Sequence, residues 1–438
     1  MANNTDFWTL LRLTQEYISQ HYAAALTDKA KLPQLKAYID KYLRENDYHV
    51  DGLTTKELID RLYCEMAEYS ILTPFLGSEK LEEINVNGWD DIALTLLDGS
   101  IVKLKEHFHS PQHATDIIKR LLHHSGMIID NATPMSQGHL PNNTRITALK
   151  EPIVDEDRGV AVSIRLLHPQ RVTLQNLIDT EFATTEMVAF LCMCIRYGVP
   201  FVVAGATSSG KTTLLNAIMT SIPDNKRVFT IESGSRELSL VRNVNGNVVN
   251  NVVHTLSRPS DNPSYDISQE QLVVASLRFN PDVVCVGEMR DVECYAAVEA
   301  SLTGHTVVST VHAGPAGAAH MRIALLCQKR FPIDFQTSLM QAGQAFPVVV
   351  YAHKLENNAR KIMDISECII GASGEREYNC LYNYQITKNT VEDGEFRIEG
   401  HFGKPNIMSD SLRKRLIQYG VPQNDLNLFL GKKGDVTA

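Results

Sequence analysis

The chain has 438 residues, of which 44% are hydrophobic and 21% are charged, as in an ordinary globular protein. This length allows two or three domains that each bury a core. The net charge of -9 argues against a protein that coats nucleic acid. No apolar run reaches the about 20 residues of a bilayer span, and no signal peptide is visible, so the sequence predicts a cytoplasmic protein without a membrane span.

Residues 1–74 are predicted to form a helical N-terminal extension. Apolar residues recur at helical spacing, as at Leu35 and Ile39. Thr54, followed three residues later by Glu57, predicts a capping box. We expect the helix that it opens to continue to about the end of this segment.

Residues 75–178 are predicted to form a small α+β domain. Apolar and polar residues alternate in the way that is typical of half-buried strands, and Asn-Gly and Asp-Gly pairs supply turns. In chain order we expect strands around residues 84–86 and 92–96, turns at Asn87-Gly88 and Asp98-Gly99, a helix at 115–124, and extended segments at 145–149 and 160–166.

Residues 179–438 are predicted to form an α/β domain with a C-terminal tail. Apolar strands alternate with helices, which implies a parallel sheet with helices on both faces. The predicted elements are a helix at 184–198, strands at 201–204, 228–231, 283–286 and 307–310, and, in the tail, a strand at 396–400 and a helix at 410–418.

The most specific motif is GATSSGKT at residues 205–212, between the apolar stretch VPFVVA and the helical stretch TTLLNAIMTSI. This is the strand–loop–helix context of a P-loop, whose amides and helix N-terminus hold phosphates. Lys211 is predicted to neutralise the β- and γ-phosphate oxygens of ATP, and the Thr212 hydroxyl to bind Mg²⁺. The predicted nucleotide-binding residues are Gly205, Ala206, Thr207, Ser208, Ser209, Gly210, Lys211, Thr212 and Thr213.

Two further strands end in carboxylates. The stretch VVCVGE ends at Glu288 in the arrangement of a Walker B element, which holds magnesium or polarises water. The stretch TIE ends at Glu232, two elements after the P-loop. Because ligands lie at the carboxyl ends of strands in a doubly wound sheet, Glu232 is predicted to orient the attacking water. Glu237 either assists it or is a solvated loop charge.

The sequence GHTVVSTVHA places His305 and His312 on either side of a predicted strand. A lone histidine is usually a core or surface residue. Two histidines beside the Ser309 and Thr310 hydroxyls are instead interpreted as a sensor of the γ-phosphate.

In this order the motifs resemble those of the type II/type IV secretion ATPase superfamily, whose members drive secretion systems, conjugation and type IV pili. The matching boxes are GATSSGKT, TIESGSREL, LRFNPDVVCVGEMRD and TGHTVVSTVHA, and upstream EEINVNG, NNTRITAL and VSIRLL resemble the family's N-terminal domain. The helical N-terminus and SIRLL are most similar to the tight-adherence pilus branch. The resemblance implies a RecA-like P-loop ATPase domain with a smaller α+β domain and a helical extension.

The resemblance also implies roles for individual residues. Arg145 and Arg165 match two N-domain arginines that reach the phosphates of nucleotide held by the C-terminal domain, where they neutralise charge that develops in phosphoryl transfer. The implied catalytic set is Lys211, Glu232, Glu288, His312, Arg145 and Arg165. The family further implies a homo-hexameric ring linked through Arg290, and an inner-membrane platform protein that holds it at the inner face of the cell membrane.

The acidic box departs from the family's pattern. An acidic residue usually follows its first Glu, and its second Glu lies four residues after that first one. Here Ser233 replaces the acid and Glu237 lies five residues after Glu232, as if one residue were inserted. The departure concerns the handling of magnesium by this box, and Glu232 remains its main catalytic candidate.

Three functions compete at this point. The leading one is a motor subunit in which ATP hydrolysis moves the N-terminal domain against the RecA-like domain. A nucleic-acid motor would need a basic pore or an aromatic stacking platform, and the net charge of -9 argues against this function. A nucleotide-binding assembly module with little turnover is favoured only by the altered acidic box.

Overall fold

The computed structural model describes residues 3–23, 32–140, 144–166, 172–260, 262–371, 374–392, 394–430 and 434–436. Asn142 and Asn143 of the motif NNTRITAL therefore lie outside the described residues. The chain divides into two compact units, Met1–Leu167 and His168–Ala438. The domain boundaries expected after residues 74 and 178 stay predictions.

The first unit begins with helices that pack on each other. The Thr54 hydroxyl accepts a bond from the Glu57 amide at 3.3 Å, and the Glu57 carboxylate accepts one from the Thr54 amide at 2.9 Å, so the capping box forms as predicted. Its helix ends at Ala67, earlier than expected, and a 3₁₀ turn follows at Ser70–Leu72. The elements are β1 (Asn3–Asn4), α1 (Phe7–His21), α2 (Leu32–Glu45), β2 (Tyr48–His49) and α3 (Thr55–Ala67), with β1 parallel to β2.

A six-stranded antiparallel sheet and one helix complete the first unit. The turn predicted at Asn87-Gly88 lies two residues later, because Gly88 pairs with Asp91 and Trp89 and Asp90 make the connection. The helix begins at Pro111, earlier than expected, because Ser110 caps it and proline is tolerated at the first helical position. The elements are β3 (Leu81–Gly88), β4 (Asp91–Leu96), β5 (Ile101–Lys103), α4 (Pro111–His123), β6 (Met135–His139), β7 (Arg145–Lys150) and β8 (Val160–Arg165), in the sheet order β5-β4-β3-β8-β7-β6.

The second unit is built on a ten-stranded sheet. Its first part contains α5 (Leu174–Asp179), α6 (Thr185–Arg196), β9 (Phe201–Ala204), α7 (Lys211–Met219), β10 (Arg227–Glu232), β11 (Asn243–Val244), β12 (Asn247–Val248) and β13 (Asn251–Leu256). Next come α8 (Gln269–Ser276), β14 (Val283–Met289), α9 (Glu293–Leu302), β15 (Thr306–Val311), α10 (Ala316–Gln328), α11 (Phe335–Ala345) and β16 (Val348–Lys354). The strands β13-β10-β14-β15-β9-β16 lie side by side in this order and are all parallel.

Side chains of β9 show how helices cover both faces of this sheet. Phe201 and Val203 belong to one core cluster with residues of α6 and α7. Val202 and Ala204 belong to the other cluster, with residues of α9, α10 and α11. Successive strand residues point to opposite faces, so a wholly apolar strand supplies both cores. The parallel α/β core predicted from the sequence is confirmed.

The C-terminal part of the sheet differs from the prediction. The strands β17 (Arg360–Ile370), β18 (Arg376–Glu392), β19 (Glu395–Lys404) and β20 (Gly434–Val436) follow β16 as an antiparallel meander, with α12 (Asp410–Gln418) and α13 (Gln423–Asn427) between the last two. The connections from β16 through β19 are short, and short connections can join only antiparallel neighbours, which explains this change of direction. The tail is therefore a continuation of the sheet, and only its helix at Asp410–Gln418 matches the expected bounds.

Candidate functional site

The motif residues of the second unit meet at one edge of its sheet. Glu232 ends β10, Glu288 lies near the end of β14, His312 follows β15, and the P-loop, residues 205–210, follows β9. These four strands are adjacent in the order β10-β14-β15-β9 and are parallel, so their carboxyl ends share one edge.

The backbone of the P-loop is tightly turned. Gly210 has φ +91° and caps α7, a conformation that side chains rarely adopt. A Cβ on Gly205 would overlap the carbonyl oxygen of Ala352 in the neighbouring strand β16. Glycine is therefore needed at both ends of the loop for packing and for conformation.

The loop gathers polar groups around one carbonyl oxygen. Lys211 is 7% exposed, and its Nζ donates to the carbonyl oxygen of Ala206 at 2.7 Å. The buried Ser209 hydroxyl donates to the same oxygen at 2.8 Å. Thr212 is half-buried and Thr213 is exposed at the start of α7. An ammonium, hydroxyls and a helix N-terminus close together form a setting that suits phosphate groups.

Glu288 and His312 form a direct pair beside the P-loop. Glu288 Oε1 lies 3.2 Å from His312 Nε2, and the side chains are 36% and 44% exposed. Burial, followed by the positive charge of Lys211, holds the pKa of His312 below its usual value. At neutral pH the imidazole is therefore uncharged and lies against the carboxylate without forming an ion pair.

A local break in strand pairing shapes this pair. The register between β14 and β15 is interrupted between Val286 and Met289. The Ser309 hydroxyl donates to the carbonyl oxygen of Val286 at 2.6 Å, and the Thr310 hydroxyl to that of Gly287 at 2.7 Å. Both hydroxyl residues are buried. Both hydroxyls therefore bond to the backbone of the strand that carries Glu288, and the γ-phosphate sensor inferred from the sequence stays a prediction.

Glu232 is more deeply buried than a solvated water-orienting group would be. It is 4% exposed, and its Oε1 accepts bonds from the backbone amides of Glu237 at 2.7 Å and Leu238 at 3.0 Å. Its Oε2 finds no hydrogen-bond partner within the described part of the chain. Burial raises the pKa of Glu232 to about 7 despite the two amides. One oxygen thus holds the following loop, and the other is buried without a partner among the described residues.

The unusual residues of the acidic box contribute differently. The Ser233 hydroxyl, at the position where the family usually has an acid, accepts a bond from Nη2 of Arg290 at 3.0 Å. Arg290 therefore contacts the box within its own chain. Glu237 meets Glu232 through its backbone amide.

His305 lies away from the other motif residues. It precedes β15, whereas His312 follows it, so the histidines lie at opposite ends of a strand that is about 20 Å long. His305 instead lines a cavity of about 300 Å³ with Arg196, Lys226 and Tyr419. The prediction that His305 contacts nucleotide is wrong, because the length of β15 separates His305 from the edge of the sheet where the P-loop lies.

Arg145 and Arg165 lie in the first unit, on β7 and β8. They are direct partners across the antiparallel pair. Arg165 Nη2 lies 3.7 Å from Glu82 Oε1. On the side of β7 that faces away from β8, Arg145 pairs with His139 of β6. Burial, with the added effect of Arg145, lowers the pKa of His139. The two guanidinium groups therefore project from the same face of the sheet.

The sequence reasoning missed Arg360, the first residue of β17. Its Nε donates to the carbonyl oxygen of Ser208 in the P-loop at 2.8 Å, across 152 residues of sequence. A single arginine outside any motif carries no signal of such a contact. Only the position of β17 at the end of the parallel sheet could have suggested it.

The oxygen donors at this edge fit a hard divalent cation. The Thr212 hydroxyl and the Glu288 carboxylate are ligands of the kind that Mg²⁺ accepts, with substrate phosphates completing its shell. Among the described residues no group of three or more His, Cys, Asp or Glu side chains could hold a metal ion by itself. The two oxygen donors of Thr212 and Glu288 suit a metal that arrives with a phosphate ligand.

A P-loop on a RecA-like parallel sheet, with carboxylates on neighbouring strands, defines a P-loop protein of the nucleotide-binding α/β class. The chain belongs to the family described as Type II/IV secretion system protein, whose model matches residues 65–368. None of the helices in the described part of the chain combines the length and apolar character that a bilayer crossing requires.

Known proteins resemble the chain over part of its length. It is 29% identical over 260 residues to an uncharacterized protein of Methanocaldococcus jannaschii, covering 56% of this chain and 45% of that one. It is 32% identical over 183 residues to the type IV secretion system protein PtlH of Bordetella pertussis, covering 40% and 52%. The ATPase DotB of Legionella pneumophila has 17% identity and a TM-score of 0.47, covering 81% of this chain and 85% of that one. The chain spans about half the length of the curated relatives named here.

Proposed function

We propose that this protein binds and hydrolyses Mg-ATP, and that hydrolysis drives a secretion, conjugation or pilus machine. The observation that carries the proposal is the placement of the Glu288–His312 pair beside Lys211 of a P-loop, on one edge of a parallel sheet. Membership of the Type II/IV secretion system family supports the same conclusion.

The residues divide the chemistry of phosphoryl transfer among them. Lys211 would exchange its contact with Ala206 for phosphate oxygens. Thr212 and Glu288 would hold Mg²⁺, which would supply charge neutralisation at the phosphates. Glu288, oriented by neutral His312, also polarises the attacking water. Glu232 Oε2, which is buried and has no partner among the described residues, is the second group that we propose to orient this water.

Arg145 and Arg165 supply positive charge from the first unit. In the proposed motor they reach the phosphates only when the N-terminal domain closes on the ATPase domain, so ATP favours the closed conformation through its higher affinity for it. We propose three parts, residues 1–74, 75–178 and 179–438, and a homo-hexameric ring. Small-angle scattering tests closure: ATP analogues should compact the protein, and less so in Arg145→Ala or Arg165→Ala variants.

The assembly is proposed by analogy with relatives. PtlH is a type IV secretion system protein, and another relative, from Mycobacterium tuberculosis, is a putative conjugal transfer protein. We propose that the ring docks from the cytoplasm on an inner-membrane platform protein. The tight-adherence branch, and the choice among effectors, DNA and pilus subunits as cargo, stay predictions.

The direct test measures ATP binding and turnover in wild type and Lys211→Ala. Removing the fixed cation of the P-loop should abolish turnover and weaken ATP binding. Lys226→Ala, which removes a lysine at the opposite edge of the sheet, is the matched control and should behave like wild type. Unchanged turnover in Lys211→Ala would refute the assignment.

A second candidate is a nucleotide-binding assembly module with little turnover. It is favoured by the engagement of Glu232 with the backbone amides of Glu237 and Leu238 and by the burial of its other carboxylate oxygen. In this case the wild-type protein should bind ATP tightly, and its rate of ATP hydrolysis per bound nucleotide should be no higher than that of Glu288→Gln. A rate well above that of the variant excludes the module.

A further inference from the structure

The hairpin between β16 and β17 lies beside the P-loop. β16 is parallel to β9, so the end of β16 and the P-loop occupy the same edge of the sheet. The hairpin returns the chain at Arg360, which pairs with Lys354 across the turn. Arg360 is thereby brought to the P-loop by the sheet and not by any local sequence pattern.

Arg360 bonds to the residue of the P-loop with the least favourable backbone conformation. Ser208 has φ +60°, in the left-handed region that costs energy for a residue with a side chain. Its carbonyl oxygen accepts the charge-assisted bond from Arg360 Nε at 2.8 Å. The Arg360 side chain also packs on the loop, with Cδ 3.6 Å from the position of a Cβ on Gly210.

This bond has a consequence for the next amide. In a trans peptide the carbonyl of Ser208 and the N–H of Ser209 point in opposite directions. Holding the carbonyl on Arg360 therefore aims the Ser209 N–H away from Arg360. That N–H points at the Ala206 carbonyl oxygen, at 3.4 Å, which is the oxygen that Lys211 also contacts. The amide and the ammonium are thus directed to the same oxygen of the loop, which a phosphate oxygen would replace as their acceptor.

The start of β17 fixes the adjoining wall as well. The Ile362 amide donates to the carbonyl oxygen of Phe182 at 2.9 Å, and Lys361 Nζ donates to that of Glu181 at 2.7 Å. The Phe182 ring lies 3.0 Å from the position of a Cβ on Gly210. The same short segment therefore holds the P-loop and the residues packed against it.

We propose that Arg360 is a positioning residue of the nucleotide site, holding Ser208 so that the amide of Ser209 faces the phosphates. This inference rests on the proposed nucleotide binding. Because the loop wraps the phosphates that ADP and ATP share, Arg360 supports the binding of both nucleotides to the same degree. It takes no part in the hydrolytic step.

The test compares Arg360→Gln with Lys354→Gln, which removes the same charge from the same hairpin without the bond to Ser208. Calorimetry gives the Kd of ADP and of a non-hydrolysable ATP analogue, turnover is measured at saturating ATP, and hydrogen exchange follows residues 205–212 without nucleotide. Arg360→Gln should weaken both nucleotides about tenfold, the value of one charge-assisted hydrogen bond. Turnover at saturation should stay near that of wild type, and the loop amides should exchange faster.

Two outcomes overturn the inference. One is wild-type affinity and exchange in Arg360→Gln, and the other is an equal loss in Lys354→Gln, which would assign the effect to charge alone. If wild type binds neither nucleotide, the proposed function fails instead. The exchange comparison, made without nucleotide, then still decides whether Arg360 holds the loop.

Discussion

Arg145 and Arg165 stand directly opposite each other on neighbouring antiparallel strands. Like charges in this arrangement repel and destabilise the sheet. The Arg165 guanidinium lies 3.7 Å from the Glu82 carboxylate, whereas the other cross-strand neighbour of Arg145 is His139. The pair therefore concentrates positive charge on one face, at a cost in stability that an anionic ligand would relieve.

Removing one of these arginines should raise the stability of the protein and lower its ATP turnover. In Arg145→Gln we expect the melting temperature to rise, by an amount equivalent to less than about 1 kcal/mol, because the cross-strand repulsion disappears. ATP turnover should fall. Calorimetry at low and high salt checks the cause, because screening should reduce the gain.

Arg158→Gln is the control for this prediction. Arg158 is in the same unit but pairs with Asp90 at 3.1 Å, so its loss should give no gain in stability. A lower melting temperature for Arg145→Gln together with unchanged turnover would show that Arg145 is an ordinary surface residue.

Glu288→Gln should keep ATP binding and lose turnover. The amide preserves the size of the side chain but removes the charge that polarises water and binds the metal, so we expect a loss of about 10²-fold or more. Equilibrium binding and single-turnover rates separate the two effects. Weaker binding with an unchanged rate per bound nucleotide would mean that this carboxylate has another role.

Thr310→Val should impair hydrolysis, although we expect no contact between Thr310 and the nucleotide. The substitution removes the hydroxyl that bonds to the Gly287 carbonyl beside Glu288. A buried carbonyl left without a partner costs about 1–3 kcal/mol of unfolding free energy and frees the backbone that orients Glu288. Denaturant unfolding and turnover measure both effects. Thr310→Ser keeps the hydroxyl and should remain close to wild type, so equal behaviour of the two variants would contradict the prediction.

Glu232 should make stability depend on pH in an identifiable direction. Burial raises its pKa from 4.5 to about 7, so the folded state binds the proton more tightly than the unfolded chain. This contribution to stability is complete below pH 4.5 and is lost as pH rises through 7. Glu232→Gln can still accept the amides of Glu237 and Leu238 through Oε1. It should therefore be more stable than wild type at pH 8, by a difference on the order of 3 kcal/mol, and similar at pH 5.

Denaturant unfolding across this pH range measures the difference. Glu237→Gln is the control, because Glu237 bonds to Glu232 through its backbone amide, which this substitution keeps. If Glu232 orients the attacking water, Glu232→Gln should also lose turnover while Glu237→Gln keeps it. A stability difference that shrinks as pH rises would contradict the buried-carboxylate account.

The sequence alone determined the parallel core, the P-loop and the family. These depend on local patterns: an apolar strand followed by glycines and a helix start, or Thr54 and Glu57 in one helical turn. Such signals act between residues that are neighbours in the chain, so one sequence displays them. For the same reason the order of the motifs along the sequence was sufficient to show the resemblance to secretion ATPases.

Only the tertiary structure decided what depends on strand direction, register and burial. It separated His305 from His312, turned the Ser309 and Thr310 hydroxyls to strand carbonyls, and buried Glu232 on two amides. It also brought Arg360 to Ser208 across 152 residues. A side chain bonds to whatever polar group the packed fold places beside it, and the identity of that group is not encoded next to it in the sequence.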